Sequence, residues 1–164
     1  MSIVETISYK TWLKDPQNFA KKLGENHKRT GFCGINDHPI PESLINKSLE
    51  IFSEFFEKSE DFKMQYFRKD LGGARGYTPY KIETPKGGVH ADLKEFWQIG
   101  RELKKDHPYR RYMFDNVHVS EIEEFKKTMD ELYKSFDQFG KELMKAIAVY
   151  LKLDKDYFLS LIHI

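Results

Sequence analysis

The chain has 164 residues, with 27 Lys or Arg against 26 Asp or Glu and a formal net charge of +1. That balance removes the electrostatic case for a nucleic-acid or anionic-membrane partner, and 40% hydrophobic with 15% aromatic residues excludes a disordered chain. The length suits one domain with a real core.

The basic pairs Lys21-Lys22, Lys104-Lys105, Arg110-Arg111 and Lys126-Lys127 stand beside acids and read as solvated faces. The single cysteine, Cys33, lies in an apolar stretch. It allows no internal disulfide, fits a reducing compartment and reads as a small buried hydrophobe rather than a nucleophile. Met1 to Glu5 shows no basic region followed by an apolar run, and no run is long enough to span a bilayer, so the expectation is cytoplasmic.

In chain order, Ile3 to Ile7 predicts a short strand. Asp15-Pro16 predicts a capped helix with proline at its first position, and Phe19, Ala20, Leu23, Gly24 and His27 share one face of it. His27 reads as a flank residue, not a ligand. Gly31 ends the helix and opens a strand, Gly31 to Ile35, expected to be buried; Gly34 inside it implies close approach of another backbone. The chain turns at His38-Pro39 and feeds a helix from about Pro41. Leu44, Ile45, Leu49, Phe52, Phe55 and Phe56 form its apolar stripe. Ser59 caps a further short helix with Met64 and Phe67 as its core residues.

Leu71 to Pro85 reads as a glycine-rich loop with extended pieces, and Leu93 to Gly100 as extended with Phe96 as the apolar anchor. Asp106 to Asn116 is an irregular connection. Ser120 and Glu123 predict a capping box for a helix to Leu151, with Ile122, Phe125, Met129, Leu132, Phe136, Phe139, Leu143, Ile147 and Tyr150 on one stripe and a bend at Gly140. Asp154 to Phe158 begins another turn. The apolar end, residues 159–164, is expected to be truncated or non-native sequence.

Three stretches together carry a resemblance. Gly31-Phe32 through His38-Pro39-Ile40-Pro41 is similar to G-F-F-x-V-x-N-H-G-I-P. Arg75-Gly76-Tyr77 is similar to a glycine-tyrosine strand, and Asp92 to Glu102 to a D-x-K-E-x-F/W-x-x-G stretch. In that order they resemble the N-terminal region of non-haem Fe(II) dioxygenases of the isopenicillin N synthase type, over residues 1–158. Asp37 and Pro39 depart from the family's N-H-G turn, and proline's fixed φ means the turn must be built differently. His38 matches, in a role the resemblance makes structural.

The resemblance implies an α+β fold: a helix-rich N-terminal segment with a few short strands, preceding and lacking most of a double-stranded β-helix jelly-roll barrel. It implies an intact enzyme using Fe(II), 2-oxoglutarate and O2 to hydroxylate, desaturate or cyclise a small organic substrate. Fe(II) would be held by two histidines and one carboxylate beyond residue 158. No catalytic residue and no metal ligand is therefore expected in this chain, nor a cofactor bound to it, and alone it should be inactive. His90-Ala91-Asp92 has the His-x-Asp spacing but lies in the wrong segment, and reads as a polar loop. Arg75 and Tyr77 are implied as substrate-binding residues; Arg75 reads equally as a surface arginine beside a glycine turn. Trp97 either lines the same cavity or packs in the core, and packing is favoured. A different class remains open: a complete, non-catalytic helical module that binds a partner protein through its apolar stripe.

Overall fold

The structure, a computed structural model, describes residues 4–159. The chain divides into two compact units, Met1–Pro41 with Lys134–Ile164, and Glu42–Tyr133. The expectation of a non-native end falls almost wholly on residues outside the described ones.

In the first unit, β1 (Thr6–Ser8) pairs in parallel with β2 (Gly34–Asn36), Ile7 facing Ile35. Both strands are shorter than the sequence suggests, and Ile3 lies outside the described residues. The expected burial of the second strand is corrected: Phe32 is 69% exposed and precedes the paired residues. Two three-residue strands make a sheet too small to shield both faces. Gly34 does meet another backbone, since a Cβ there would fall 2.5 Å from Thr6 Oγ1 and 3.4 Å from Thr6 Cα. The altered turn places its left-handed residue two positions before Pro39. Asp37 takes the left-handed conformation, φ 53°, and its carboxylate accepts from Ser8 Oγ at 2.5 Å and Lys10 Nζ at 2.9 Å.

Helix α1 (Tyr9–Lys14) is followed by α2 (Pro16–Thr30), where Asp15 Oδ1 accepts from the Asn18 N–H at 3.1 Å as the sequence predicts. Phe19, Ala20, Leu23 and Gly24 are buried, but the face closes on Asn26 rather than His27. Asn26 can be buried because Arg29 Nη2 donates to its Oδ1 at 2.9 Å and its Nδ2 donates to Cys33 Sγ. Burial pushes the Cys33 thiol up, which suits an inert residue. The later turns of α5 (Phe125–Tyr150) contribute Phe139, whose ring centroid is 5.2 Å from that of Tyr9, and Tyr150, whose ring lies across Gly24.

In the second unit, α3 (Glu42–Glu57) buries Leu44, Ser48, Ile51 and Phe55. Leu49 is 63% exposed, so the stripe runs through Ile51 instead. Ser59 Oγ accepts from the Phe62 N–H and caps α4 (Glu60–Met64). Lys63, not Met64, is the residue this helix buries. A short 3-10 turn (Lys69–Leu71) leads to β3 (Gly76–Thr78), antiparallel to β4 (Phe96–Gln98) with Tyr77 opposite Trp97. A second 3-10 turn (Pro108–Arg111) lies within the irregular connection.

The core of this unit is aromatic. Phe55 is fully buried, with the rings of Trp97 at 4.9 Å, Tyr77 at 5.6 Å and Tyr66 at 5.9 Å from its own. Ile51, Val119, Ile122, Phe125 and Met129 complete it. Trp97 therefore packs, and it anchors β4 in place of Phe96. The expected capping box does not form: Ser120 Oγ donates to Glu121 Oε2 at 2.9 Å, and α5 begins only at Phe125. Glu124 is left-handed at φ 59°, which an uninterrupted helix cannot contain. Burying Val119 and Ile122 bends the chain through turns before the helix starts. Phe136, expected on the stripe, is 52% exposed, and α5 runs through Gly140 as one helix.

Truncating Phe55 to Ala should cost about 3–5 kcal/mol of unfolding free energy, whereas Phe32→Ala should stay within about 0.5 kcal/mol. Urea denaturation of the two variants checks which phenyl belongs to a core.

Candidate functional site

The β3–β4 hairpin collects the residues that the sequence offers for a substrate. Tyr77 is 1% exposed, and its hydroxyl donates to Glu95 Oε2 at 2.6 Å. Lys63 Nζ donates to the same oxygen at 2.7 Å and to the Phe56 carbonyl at 3.3 Å. The Lys63 and Glu95 side chains are only 10% and 12% exposed, so this is a buried ion pair. Burial drives the Tyr77 hydroxyl well above the usual tyrosine range, and Glu95 drives it further. Burial also opposes ionisation of Glu95, but the bonds from Lys63 and Tyr77 outweigh it and hold the carboxyl below its ordinary value. The Tyr77 hydroxyl is thus committed inside the fold.

Arg75 immediately precedes β3. Its Nε donates to the Phe114 carbonyl at 3.1 Å and Nη1 to the Ala74 carbonyl at 2.6 Å. The guanidinium occupies the space beside Gly100, where a Cβ would fall 2.0 Å from Nη2. Gly100 is held in turn by Asn116, which accepts from its N–H at 2.8 Å and donates to its carbonyl at 2.9 Å. Arg75 therefore bridges three segments and keeps further N–H donors of its five on a half-buried side chain. Two buried polar atoms of the hairpin, Thr78 Oγ1 and Trp97 Nε1, have no hydrogen-bond partner among the described residues.

Elsewhere in this unit, Tyr66 donates a short hydrogen bond to Glu121, and burial together with that carboxylate pushes its hydroxyl up to about 12. In the first unit His38 packs on Phe139 at 5.9 Å with its Nδ1 buried and unpartnered. A small cleft of about 150 Å³ beside it is lined by Pro39, Ile40, Ser135, Gln138, Phe139 and Glu142.

His90 and Asp92 are not joined by a third ligand. Asp92 instead pairs with Lys94 at 3.3 Å, and His90 is exposed. Among the described residues the three side chains that do converge are Glu102, His118 and Asp130. They offer one imidazole, so they do not fit the two-histidine, one-carboxylate iron set. Burial first, and Lys126 second, hold His118 below the ordinary histidine value. Nothing in their spacing signals this group, because its members come from two irregular segments and a helix. Glu95 and Lys63 were likewise missed; a charged residue one position before an aromatic strand is the only trace of the pair.

A model of the non-haem dioxygenase N-terminal region, described from morphine synthesis, matches residues 4–121. The chain belongs to that family. It is 25% identical over 147 residues to a 2-oxoglutarate-Fe(II) type oxidoreductase of Emericella nidulans, covering 84% of this chain and 42% of that one. It is 30% identical over 154 residues to a Dictyostelium discoideum protein named "Probable iron/ascorbate oxidoreductase", covering 86% and 42%. The crystal structure of a 2OG-Fe(II) oxygenase family protein from Caulobacter crescentus superposes with a TM-score of 0.86 at 40% identity, covering 97% of this chain and 52% of that one. The chain thus spans about half the length of the proteins it matches. No helix among the described residues is long and apolar enough to cross a membrane.

Replacing Lys63 by Met strands the Glu95 carboxylate and should cost about 3–5 kcal/mol. Because the folded Glu95 value is depressed, its contribution is present above the unfolded value near 4.5 and is lost as pH falls through the folded value. Thermal melts from neutral to acid pH should show a smaller acid-side loss in Glu95→Gln than in the unmodified chain.

Proposed function

We propose that this chain is the N-terminal part of a non-haem Fe(II)- and 2-oxoglutarate-dependent oxygenase that oxidises a small organic molecule with O2 in the cytoplasm. The observation that carries this reading is the superposition on the Caulobacter oxygenase-family chain, over 97% of this chain but 52% of that one. Among the described residues no donor set suits the iron, and in this reading its ligands and the 2-oxoglutarate site belong to the other half. That half would hold the jelly-roll barrel, whereas the described residues form two two-stranded sheets and an isolated bridge between Phe67 and Gly76.

In this reading the β3–β4 hairpin borders the substrate pocket. Arg75 offers the N–H donors it does not spend on Phe114 and Ala74, a fork suited to a substrate carboxylate. Tyr77 serves the substrate from inside the fold: its hydroxyl and Lys63 fix Glu95, and so fix the strand that presents Arg75.

Conversion of 2-oxoglutarate to succinate, followed with Fe(II), ascorbate and dioxygen supplied, should not rise above the protein-free background for the 164-residue chain. The reading frame downstream of codon 164 should encode a His-x-Asp, then a later histidine and an arginine. Turnover by the 164 residues alone, or a downstream frame without His-x-Asp, overturns the reading.

A further inference from the structure

Glu102, His118 and Asp130 each bring a ligand atom within 4.8 Å of the others, all in the second unit. We infer that they form a binding site for a divalent transition-metal ion of the zinc class, separate from any catalytic iron. The donors would be one imidazole nitrogen and two carboxylate oxygens. Ligands around a tetrahedral ion at about 2.0–2.2 Å sit roughly 3.5 Å apart, so the group must close by about 1 Å. Glu102 can supply that movement, being 52% exposed on a segment without regular structure, while Asp130 at 17% exposure is held on α5.

The chain already places a cation between the two acids. Lys126 Nζ lies 2.5 Å from Asp130 Oδ2 and 3.6 Å from Glu102 Oε1. That ammonium answers the carboxylates but not the histidine. His118 Nε2, the ring nitrogen beside Glu102, stands 3.9 Å from Glu102 Oε1, beyond hydrogen-bond reach. A metal ion at Nε2 engages all three side chains, where the lysine engages the two acids. Lys126 is 59% exposed and can swing into solvent when displaced. An open pocket of about 490 Å³, lined in part by His118, Lys126 and Asp130, gives entry and room for water to complete the coordination shell. The imidazole selects a borderline metal over Mg²⁺ or Ca²⁺, which prefer oxygen throughout.

The inference does not rest on the oxygenase reading, since binding would need neither 2-oxoglutarate nor any residue outside this chain. Calorimetric titration of the 164-residue chain with Zn²⁺ tests it. One equivalent should bind in the presence of millimolar Mg²⁺. His118→Gln and Asp130→Asn should each weaken it by about tenfold or more. Lys126→Met, which removes the competing cation, should tighten it. Glu102→Gln alters an exposed side chain and decides the matter if the His118 variant does not fold: it too should weaken binding. Zn²⁺ affinity unchanged in Glu102→Gln, or equally reduced by Lys126→Met, overturns the site and assigns any binding to scattered surface histidines.

Discussion

One oxygen atom, Glu95 Oε2, ties the second unit together. It accepts from Lys63 on α4 and from Tyr77 on β3, while the residue bearing it leads directly into β4. A carboxylate this deeply placed would be costly alone, and a lysine equally so. Each tolerates burial only because the other is there, and the Tyr77 hydroxyl adds a second donor. The consequence is geometric. Once the three groups meet, β3 and β4 are in register and Tyr77 and Trp97 stand opposite each other with their rings on Phe55. The aromatic cluster supplies the hydrophobic contribution, and the ion pair selects the one arrangement of α4 and the hairpin that leaves no charge unpaired. Arg75 inherits its position from this arrangement, being one residue ahead of β3 and pinned on Gly100.

Local chemistry made much of the fold legible. Asp15-Pro16 and Ser59 cap the helices they were expected to cap, because a cap needs only a side-chain oxygen and an N–H three residues on. Failures arose where tertiary packing overrode a local preference. Ser120 and Glu123 have the spacing of a capping box, yet burial of Val119 and Ile122 demands a turn at that point. Periodicity placed Leu49 on the buried face of α3, but the helix is rotated so that Ser48 and Ile51 face inward instead. Ser48 is accommodated because its hydroxyl donates to the Leu44 carbonyl at 2.7 Å. The chemistry of Phe32 points to burial, but a two-stranded sheet has nothing to bury it against.

The candidate site was legible in part. Arg75 and Tyr77 stood out through the resemblance, and both lie on the hairpin, but their partners could not be read. Glu95 is 18 residues from Tyr77 and Lys63 is 32 from Glu95, separations at which no pattern of spacing operates. The same holds for Glu102, His118 and Asp130, which only the folded chain brings together. Family membership, by contrast, rests on the order of several short motifs, and order survives when individual residues such as Asp37 and Pro39 depart from the pattern.

Gly24 carries a separate implication. A Cβ there would lie 2.3 Å from the Tyr150 ring carbons, so the ring occupies the space a side chain would need. Helix ends ordinarily fray, and Tyr150 is the last residue of α5. Here the terminal residue is wedged against the middle of α2, which denies that end its usual freedom. Amide exchange in the final turn of α5 is thereby coupled to the opening of α2, making a helix terminus a reporter on a helix more than a hundred positions earlier in the chain.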